Sequence, residues 1–477
     1  MARLEITNFY IYRWRYILGY GVVGLALAAL LVFAGLYVPG GISAAEMTSV
    51  VKSDTLSITS LSSLATTNLP YYLLQGLSLH LFGVHDFSIK LPSLILGLLS
   101  AIGMVLLLRR WFKPNIAILA SLIAITTGQF LFVAQNGTPG ILYIFWPVVL
   151  LLLGTLITRT EKRRFIWKAL FFIAAALSFY TPLIIYPLGA MTLAVILHPH
   201  LRNVVRRISK PKLIGAAIIA LIIMTPLIWG IVKNPQLGLS LLGFPTELPD
   251  ILANIKLIFH QYLDFWKPST TTLMTPVFGL GSILLILYGL YRMIQTRETT
   301  QSYLIIIWLI CLVPVLIINP SFTSITFIPL VLLLTTGLSS LIAYWYNIFP
   351  RNPYARIAGL IPLIVLVVGL VGSGLDRYVY GYHYDPHTTV NFSKDLTLLP
   401  KNTAQLIVLD DQLAFYKVLE RHSTGLTVLS EPSAATTEFT ATRTAKRVFP
   451  GFQIQKIITT VNTQDADRFY IYKKTTP

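Results

Sequence analysis

Apolar runs of about 20 residues alternate with short polar loops along the first three-quarters of the chain. They fall near 17–38, 88–108, 115–134, 140–158, 166–197, 213–232, 273–291, 302–319, 322–346 and 356–375. A helix of that length crosses a hydrocarbon core ~30 Å thick. The run 166–197 is too long for one crossing. The loops on either side of it, "RTEKRR" (159–164) and "RNVVRRISKPK" (202–212), are both strongly basic and belong on the cytoplasmic side. The run must therefore leave and return, turning near "FYTP" (179–182) with arms of ~16 residues, about 24 Å each. Eleven spans result, the first read as uncleaved, with the N-terminus inside and the C-terminus outside.

Two outer segments are longer than connectors. In 39–87, Met47, Val50, Val51, Ile58, Leu61 and Leu64 recur at helical spacing, which predicts an amphipathic helix lying on the membrane surface. In "NLPYYLLQGLSLHLFGVHDFSIKLPS" (68–93), Pro70 predicts a helix start, Gly83 a stop and Pro92 the opening of the next span. The second outer segment, 233–272, predicts a surface helix from Asp250 to about Phe265. In the tail, "AQLIVLDD" (404–411), "LTVLSEP" (426–432) and "RFYIYKK" (468–474) read as strands, and "DQLAFYKVLERH" (411–422) as a helix. The pair Asp410–Asp411 ends a strand, where a helix cap is preferred to a ligand site. The fold class is an α-helical polytopic membrane protein with a small C-terminal α/β domain. A transmembrane domain covers 1–375, with outer loops 39–87 and 233–272, and an extracytoplasmic domain covers 376–477.

Composition agrees with this. The chain of 477 residues is 55% hydrophobic and 12% charged, against roughly 25% charged in soluble domains. A net charge of +18 would suggest nucleic acid in a soluble chain, but here its placement reports topology. The N-terminal tail and the inner loops hold 20 Lys and Arg, and the outer loops hold five: Lys52, Lys90, Lys233, Lys256 and Lys267. No nucleic-acid partner is expected. The chain is placed in the cell membrane, with membrane lipids as partners. The one cysteine, Cys311, rules out an intramolecular disulfide. Phosphate-binding loops, dinucleotide fingerprints and His/Cys metal clusters are absent from the sequence, so no cofactor is expected, with a divalent cation left open. No ionisable residue falls in the middle of an expected span, which weighs against an ion-coupled transporter.

The stretch "LPYYLLQGLSLHLFGVHDFSIKLPSLILGLL" (69–99), followed by the basic turn "RRWF" (109–112), resembles the GT-C glycosyltransferases of the protein O-mannosyltransferase and aminoarabinose-transferase type. Order, spacing and topology agree over roughly 10–230. The resemblance implies transfer of a sugar from a polyprenyl-phosphate-linked donor to a protein, lipid or polysaccharide acceptor on the extracytoplasmic face. It also implies an acidic base in the first outer loop. A carboxylate beside the lipid phosphate can take the proton of an incoming hydroxyl, while polar or basic groups stabilise the departing phosphate. The family usually shows Asp-Glu where this chain has Ala45-Glu46 in "VPGGISAAEM" (38–47). Asn68 stands where relatives often carry a lysine, "AQNGTPG" (134–140) where they often carry an Arg and an acid, and Lys90 where an Arg is common.

The catalytic candidates are Glu46, beside the missing Asp, and Asp54, eight residues on. Each has a plainer reading, a capping or solvated carboxylate. Candidates for substrate contact are Lys52, Asn68, Tyr71, Tyr72, Asp86, Lys90, Lys256 and His260. Against these stand an interfacial aromatic belt for the tyrosines, lipid headgroups for the lysines and a pairing with Asp264 for His260. Three function classes follow: the sugar transferase, a catalytically silent relative that binds a lipid-linked glycan or a partner as a scaffold, and a lipid-linked sugar transporter or flippase.

Overall fold

Apart from isolated positions, the computed structural model describes residues 41–159, 164–206, 210–265, 276–348, 358–383, 396–459 and 468–475, with a few residues of the N-terminal segment. The expected first span lies mostly outside them.

Helix α1 (Ala44–Asp54) begins at a reciprocal cap. Ser43 Oγ accepts the Glu46 N–H, and the Glu46 carboxylate accepts the Ser43 N–H. The amphipathic run expected over 47–64 is broken after Asp54, and only one turn, Leu61–Leu64, resumes it. The intervening hydroxyls bond locally: Ser63 Oγ donates to the Ser57 carbonyl and accepts the Ser57 N–H. This is how Ser-rich stretches compete with helix. Helix α2 (Leu69–Phe82) has proline in its first turn and stops at Gly83, whose φ of 75° suits glycine.

Helix α3 (Asp86–Trp111) corrects the expectation for Pro92. The helix starts six residues earlier, where Ser88 Oγ accepts the His85 N–H, and Pro92 lies inside it. Proline cannot bond to the carbonyl four residues back. Here that carbonyl, Ser88, accepts a hydrogen bond from Ser78 Oγ of α2 at 2.7 Å, so the helix continues through the proline.

Helices α4 (Pro114–Ile125) and α5 (Gly128–Gln135) form one span bent by 62°. After α6 (Leu142–Arg159), the long apolar run divides into α7 (Arg164–Ser178) and α8 (Ile185–Leu197), with its turn where loop parity required one. Helix α9 (Lys210–Lys233) leads to α10 (Ile251–Leu263), whose first amides are capped by Asp250. Helices α11 (Leu280–Gln295), α12 (Thr300–Ile318), α13 (Phe327–Ile348) and α14 (Leu360–His383) complete the bundle. Among the described residues, six helices are long and apolar enough to cross a membrane, or seven with the bent pair. Three shorter apolar helices occupy the remaining expected positions. The chain is an integral membrane protein. Helices α11 and α13 meet backbone to backbone at Gly289 and Gly337. A Cβ on Gly289 would lie 1.9 Å from the Leu333 carbonyl oxygen, so only glycine permits this approach.

The C-terminal domain is a five-stranded sheet. In chain order its strands are β1 (Gln405–Ile407), β2 (Thr427–Leu429), β3 (Glu438–Thr442), β4 (Phe452–Ile458) and β5 (Phe469–Lys474), arranged β2-β1-β3-β5-β4. The first three are parallel and the last two antiparallel. Strands β3 and β4 were not predicted; β4 is largely exposed and carries no clear alternation. Helix α15 (Asp410–His422) has Asp410 and Asp411 in its first turn but Leu409 at its cap. The carboxylates favour the helix dipole there without capping it. Phe415, Tyr416, Val418 and Leu419 of α15 share one buried cluster with Met47 and Val50 of α1, Leu79 of α2 and Ile89 of α3. The C-terminal domain is thus seated on the 39–87 segment and the start of α3 by a continuous apolar core, which the sequence did not reveal.

Candidate functional site

The polar centre of this junction is Glu46, which has no exposed surface. Its place on the first turn of α1 follows from the Ser43 cap. One carboxylate oxygen accepts the Ser43 N–H at 2.7 Å, and the other accepts the Gly137 N–H at 2.6 Å from the loop after α5. Gly137 is held close: a Cβ there would lie 2.7 Å from Ile89 Cγ2 and 3.1 Å from Glu46 Oε1. Both oxygens of Glu46 are thus engaged by backbone amides, which makes the residue a clamp between α1 and the 136–139 loop.

Beside it lies Gln75, fully buried on α2. Its Nε2 donates to the carbonyls of Ile89 and Gly137, both at 3.0 Å, and the hydroxyls of Ser49 and Ser53 lie 2.7 Å from its Oε1. One amide side chain therefore ties together α1, α2, α3 and the loop after α5. Sequence reasoning passed over it because a single Gln in "YYLLQGLSLH" reads as a polar position on a surface helix. The signal was its isolation among apolar neighbours.

Tyr71 extends the network. Its hydroxyl lies 2.8 Å from Ser93 Oγ, which donates to the Asn136 carbonyl at 2.5 Å. Burial raises the Tyr71 phenol above its ordinary value, partly opposed by the Ser93 hydrogen bond, with the nearby Glu46 carboxylate raising it further. Burial alone pushes Tyr72 up to about 12. Both are neutral phenols at physiological pH, and both are buried, unlike members of an interfacial belt.

Lys90 is also buried, with Nζ donating to the Gly41 carbonyl at 3.1 Å. Asn68 takes a left-handed backbone with φ 56° at the start of α2, and its N–H donates to the Tyr180 carbonyl. The side-chain oxygens of Asn68 and Asn136 are buried without a hydrogen-bond partner among the described residues. Buried polar atoms are usually satisfied, so each of these is an acceptor ready for a hydroxyl or amide donor. Asp86 stands at the start of α3.

The other candidates lie apart. Asp54, at the end of α1, pairs with Arg421 and, at 3.2 Å, with His422 Nε2, so it fastens the C-terminal domain to the outer loop. Lys52 and Lys256 are exposed, and His260 pairs with Asp264 at 3.2 Å on the face of α10. The 39–87 segment touches the end of α9 and the segment after it, but through apolar side chains: Leu56, Leu64 and Leu69 cluster with Leu227 and Ile231 of α9 and with Leu237 beyond it. Glu46, Asn68, Tyr71, Tyr72 and Lys90 thus belong to the neighbourhood of α1–α3, whereas Lys256 and His260 sit on α10. Among the described residues, no group of three or more His, Cys, Asp or Glu side chains comes together to hold a metal ion.

The family described as dolichyl-phosphate-mannose-protein mannosyltransferase matches residues 68–229, a segment that begins at Asn68 and includes Gln75, Lys90, Ser93 and Asn136. No curated protein matches the chain in sequence. In structure it is similar to ArnT from Cupriavidus metallidurans in the apo state, with TM-score 0.53 and 13% identity, covering 96% of this chain and 98% of that one. The same protein bound to undecaprenyl phosphate gives TM-score 0.53 and 12% identity over the same shares. The Archaeoglobus fulgidus oligosaccharyltransferase tethered with an acceptor peptide gives 0.50 and 15%, over 87% of this chain and 64% of that one. At such identities the likeness is one of fold. The chain is an integral membrane protein with the GT-C glycosyltransferase fold, and over residues 68–229 it carries the sequence pattern of the mannosyltransferase family.

Proposed function

We propose that this protein transfers a sugar from a polyprenyl-phosphate-linked donor to an acceptor hydroxyl on the extracytoplasmic face. The observation that carries the reading is the coincidence of the family match, 68–229, with the buried polar junction around Gln75, Tyr71 and Asn136. Undecaprenyl phosphate bound to the similar ArnT supports a polyprenyl donor. In the reaction the acceptor oxygen attacks the anomeric carbon, the carbon–oxygen bond to phosphate breaks, and the polyprenyl phosphate leaves with the bonding electrons. The acceptor proton passes to a base. The unpartnered oxygens of Asn68 and Asn136 suit hydroxyl donors of a sugar.

One observation favours a second reading, a silent relative that binds the lipid-linked glycan without transferring it. Ala45 removes the family's usual base, and Glu46 has both oxygens engaged by backbone amides at 2.7 and 2.6 Å. Transfer requires an acceptor to reach Glu46, which has no exposed surface, or Asp54 to leave its pairing with Arg421 and His422. Incubation of the purified protein with polyprenyl phosphate sugars and candidate acceptors separates the readings: product formation supports transfer, and donor binding without product supports the scaffold. If transfer occurs, Glu46→Gln reduces turnover by about 10²–10⁴-fold where Glu46 is the base. A drop below about threefold, with Asp54→Asn abolishing turnover, assigns the base to Asp54.

A further inference from the structure

Strand β4 lies at one end of the sheet and, among the described residues, pairs only with β5. Its outer row of backbone N–H and C=O groups is therefore open to a further strand. Between Ile454 and Lys456 the register with β5 shifts, and Gln455 is the extra residue of a β-bulge. The bulge decides which side chains share a face. Strict alternation would put Ile454 and Ile457 on opposite faces. Instead Ile454 lies opposite Tyr472 and Ile457 opposite Tyr470, and residues directly opposite each other share a face. Phe452 packs into the same cluster as these two tyrosines. Phe452, Ile454 and Ile457 thus form one apolar row along the edge, with Ile454 40% and Ile457 50% exposed.

Cations stand at both ends of the row. Lys474 lies opposite Phe452, and Lys446 Nζ sits over the Tyr470 ring, 5.1 Å from its centre. Lys456, opposite Ile471, belongs to the other face of β4. All three lysines are exposed, and neither β4 nor β5 contains an acidic residue. Lysines and bulges commonly protect sheet edges from indiscriminate pairing. Here the protection is selective, because it repels a basic strand and attracts an acidic one. A second copy of this chain is a poor occupant: β4 against β4 would bring two sets of lysines to one edge, and like charges across a strand pair are destabilising.

We propose that the β4 edge docks an acidic, extended segment of another protein by taking it up as an added strand. Main-chain hydrogen bonds to β4 supply the pairing, and pockets between alternate side chains supply selectivity. Apolar side chains of the segment lie beside Ile454 and Ile457, and its carboxylates meet Lys446, Lys456 and Lys474. The inference does not depend on sugar transfer.

The test uses the full chain in phosphatidylcholine nanodiscs and short fluorescent peptides in which valine alternates with threonine. One peptide carries glutamates at both ends, and the other carries lysines there. The glutamate peptide is expected to bind in a fluorescence anisotropy titration and to slow hydrogen exchange of the 452–458 amides. Ile457→Glu, at an exposed position, should weaken its binding about threefold to tenfold. Lys446→Glu combined with Lys474→Glu should reverse the preference, so that the lysine peptide binds better. Equal affinity for the two peptides in the unaltered protein overturns the proposal, as does binding that leaves exchange of 452–458 or the Ile457→Glu affinity unchanged. Failure of the glutamate peptide to bind overturns it too. Self-association of the unaltered chain that is lost in Ile457→Glu would assign the edge to a second copy instead.

Discussion

The Gly137 N–H donates to Glu46 Oε1 at 2.6 Å, across 91 positions of sequence. The bond joins the start of the first outer loop to the loop after the broken span, and both partners are buried. Replacing Glu46 by Ala strands the Ser43 and Gly137 amides in a dry interior. An unpaired buried donor costs about 1–3 kcal/mol, so Glu46→Ala should lower the thermal unfolding midpoint in detergent clearly. Gly137→Ala should do the same by driving a methyl group into Ile89. An unchanged midpoint in both variants would show that the clamp contributes nothing to stability.

Asp54 and α15 offer a contrast between charge and packing. The Asp54 pairing with Arg421 and His422 is partly exposed, and such pairs contribute about 0–1 kcal/mol. Tyr416 is buried in the core shared with α1, where truncating a large aromatic costs about 3–5 kcal/mol. Hydrogen exchange of α15 should therefore quicken slightly in Asp54→Asn and strongly in Tyr416→Ala. The reverse order would make the ion pair the dominant fastening.

Alkaline pH probes Tyr72. Its folded-state pKa is pushed up to about 12 by burial, above the ordinary phenol value near 10. The neutral form is favoured in the folded protein. The resulting stability is fully present below about pH 10 and is lost as pH rises from there to about 12. The unfolding midpoint of Tyr72→Phe should fall less steeply over that interval than that of the unaltered protein. Parallel curves would mean that Tyr72 is hydrated.

The orientation rests on the placement of basic residues and is tested by labelling. Single cysteines placed at Thr160 and Asn203, with Cys311 removed, should be shielded from an impermeant thiol reagent outside intact cells. One at Thr437 should react. Reaction at 160 but not at 203 would mean that the run 166–197 crosses only once.

The spans were legible because hydropathy and loop charge act locally, residue by residue. So were Pro70, Gly83 and Asp250, whose effects stay within one turn. Pro92 misled because its consequence depended on a Ser78 hydroxyl from another helix, which takes the carbonyl that the proline leaves open. Glu46 was singled out by its position, yet its setting depends on Gly137, which no spacing rule connects to it. Gln75 was invisible for the same reason: its four partners come from α1, α3 and the loop after α5.

The core shared by α1–α3 and α15 has a consequence for biosynthesis. Met47 and Tyr416 pack into one cluster but are separated by about 370 residues of chain. At about 5–20 residues per second, the outer loop waits roughly 20–70 s for the segment that covers it. During that interval Met47, Val50 and Ile89 have no domain above them, and the loop is exposed to proteases and misassembly. Burial of this face therefore waits until Tyr416 and Phe469 of the same cluster have been synthesised. A ribosome that stops early should leave a fully inserted bundle with an unfinished and degradable surface.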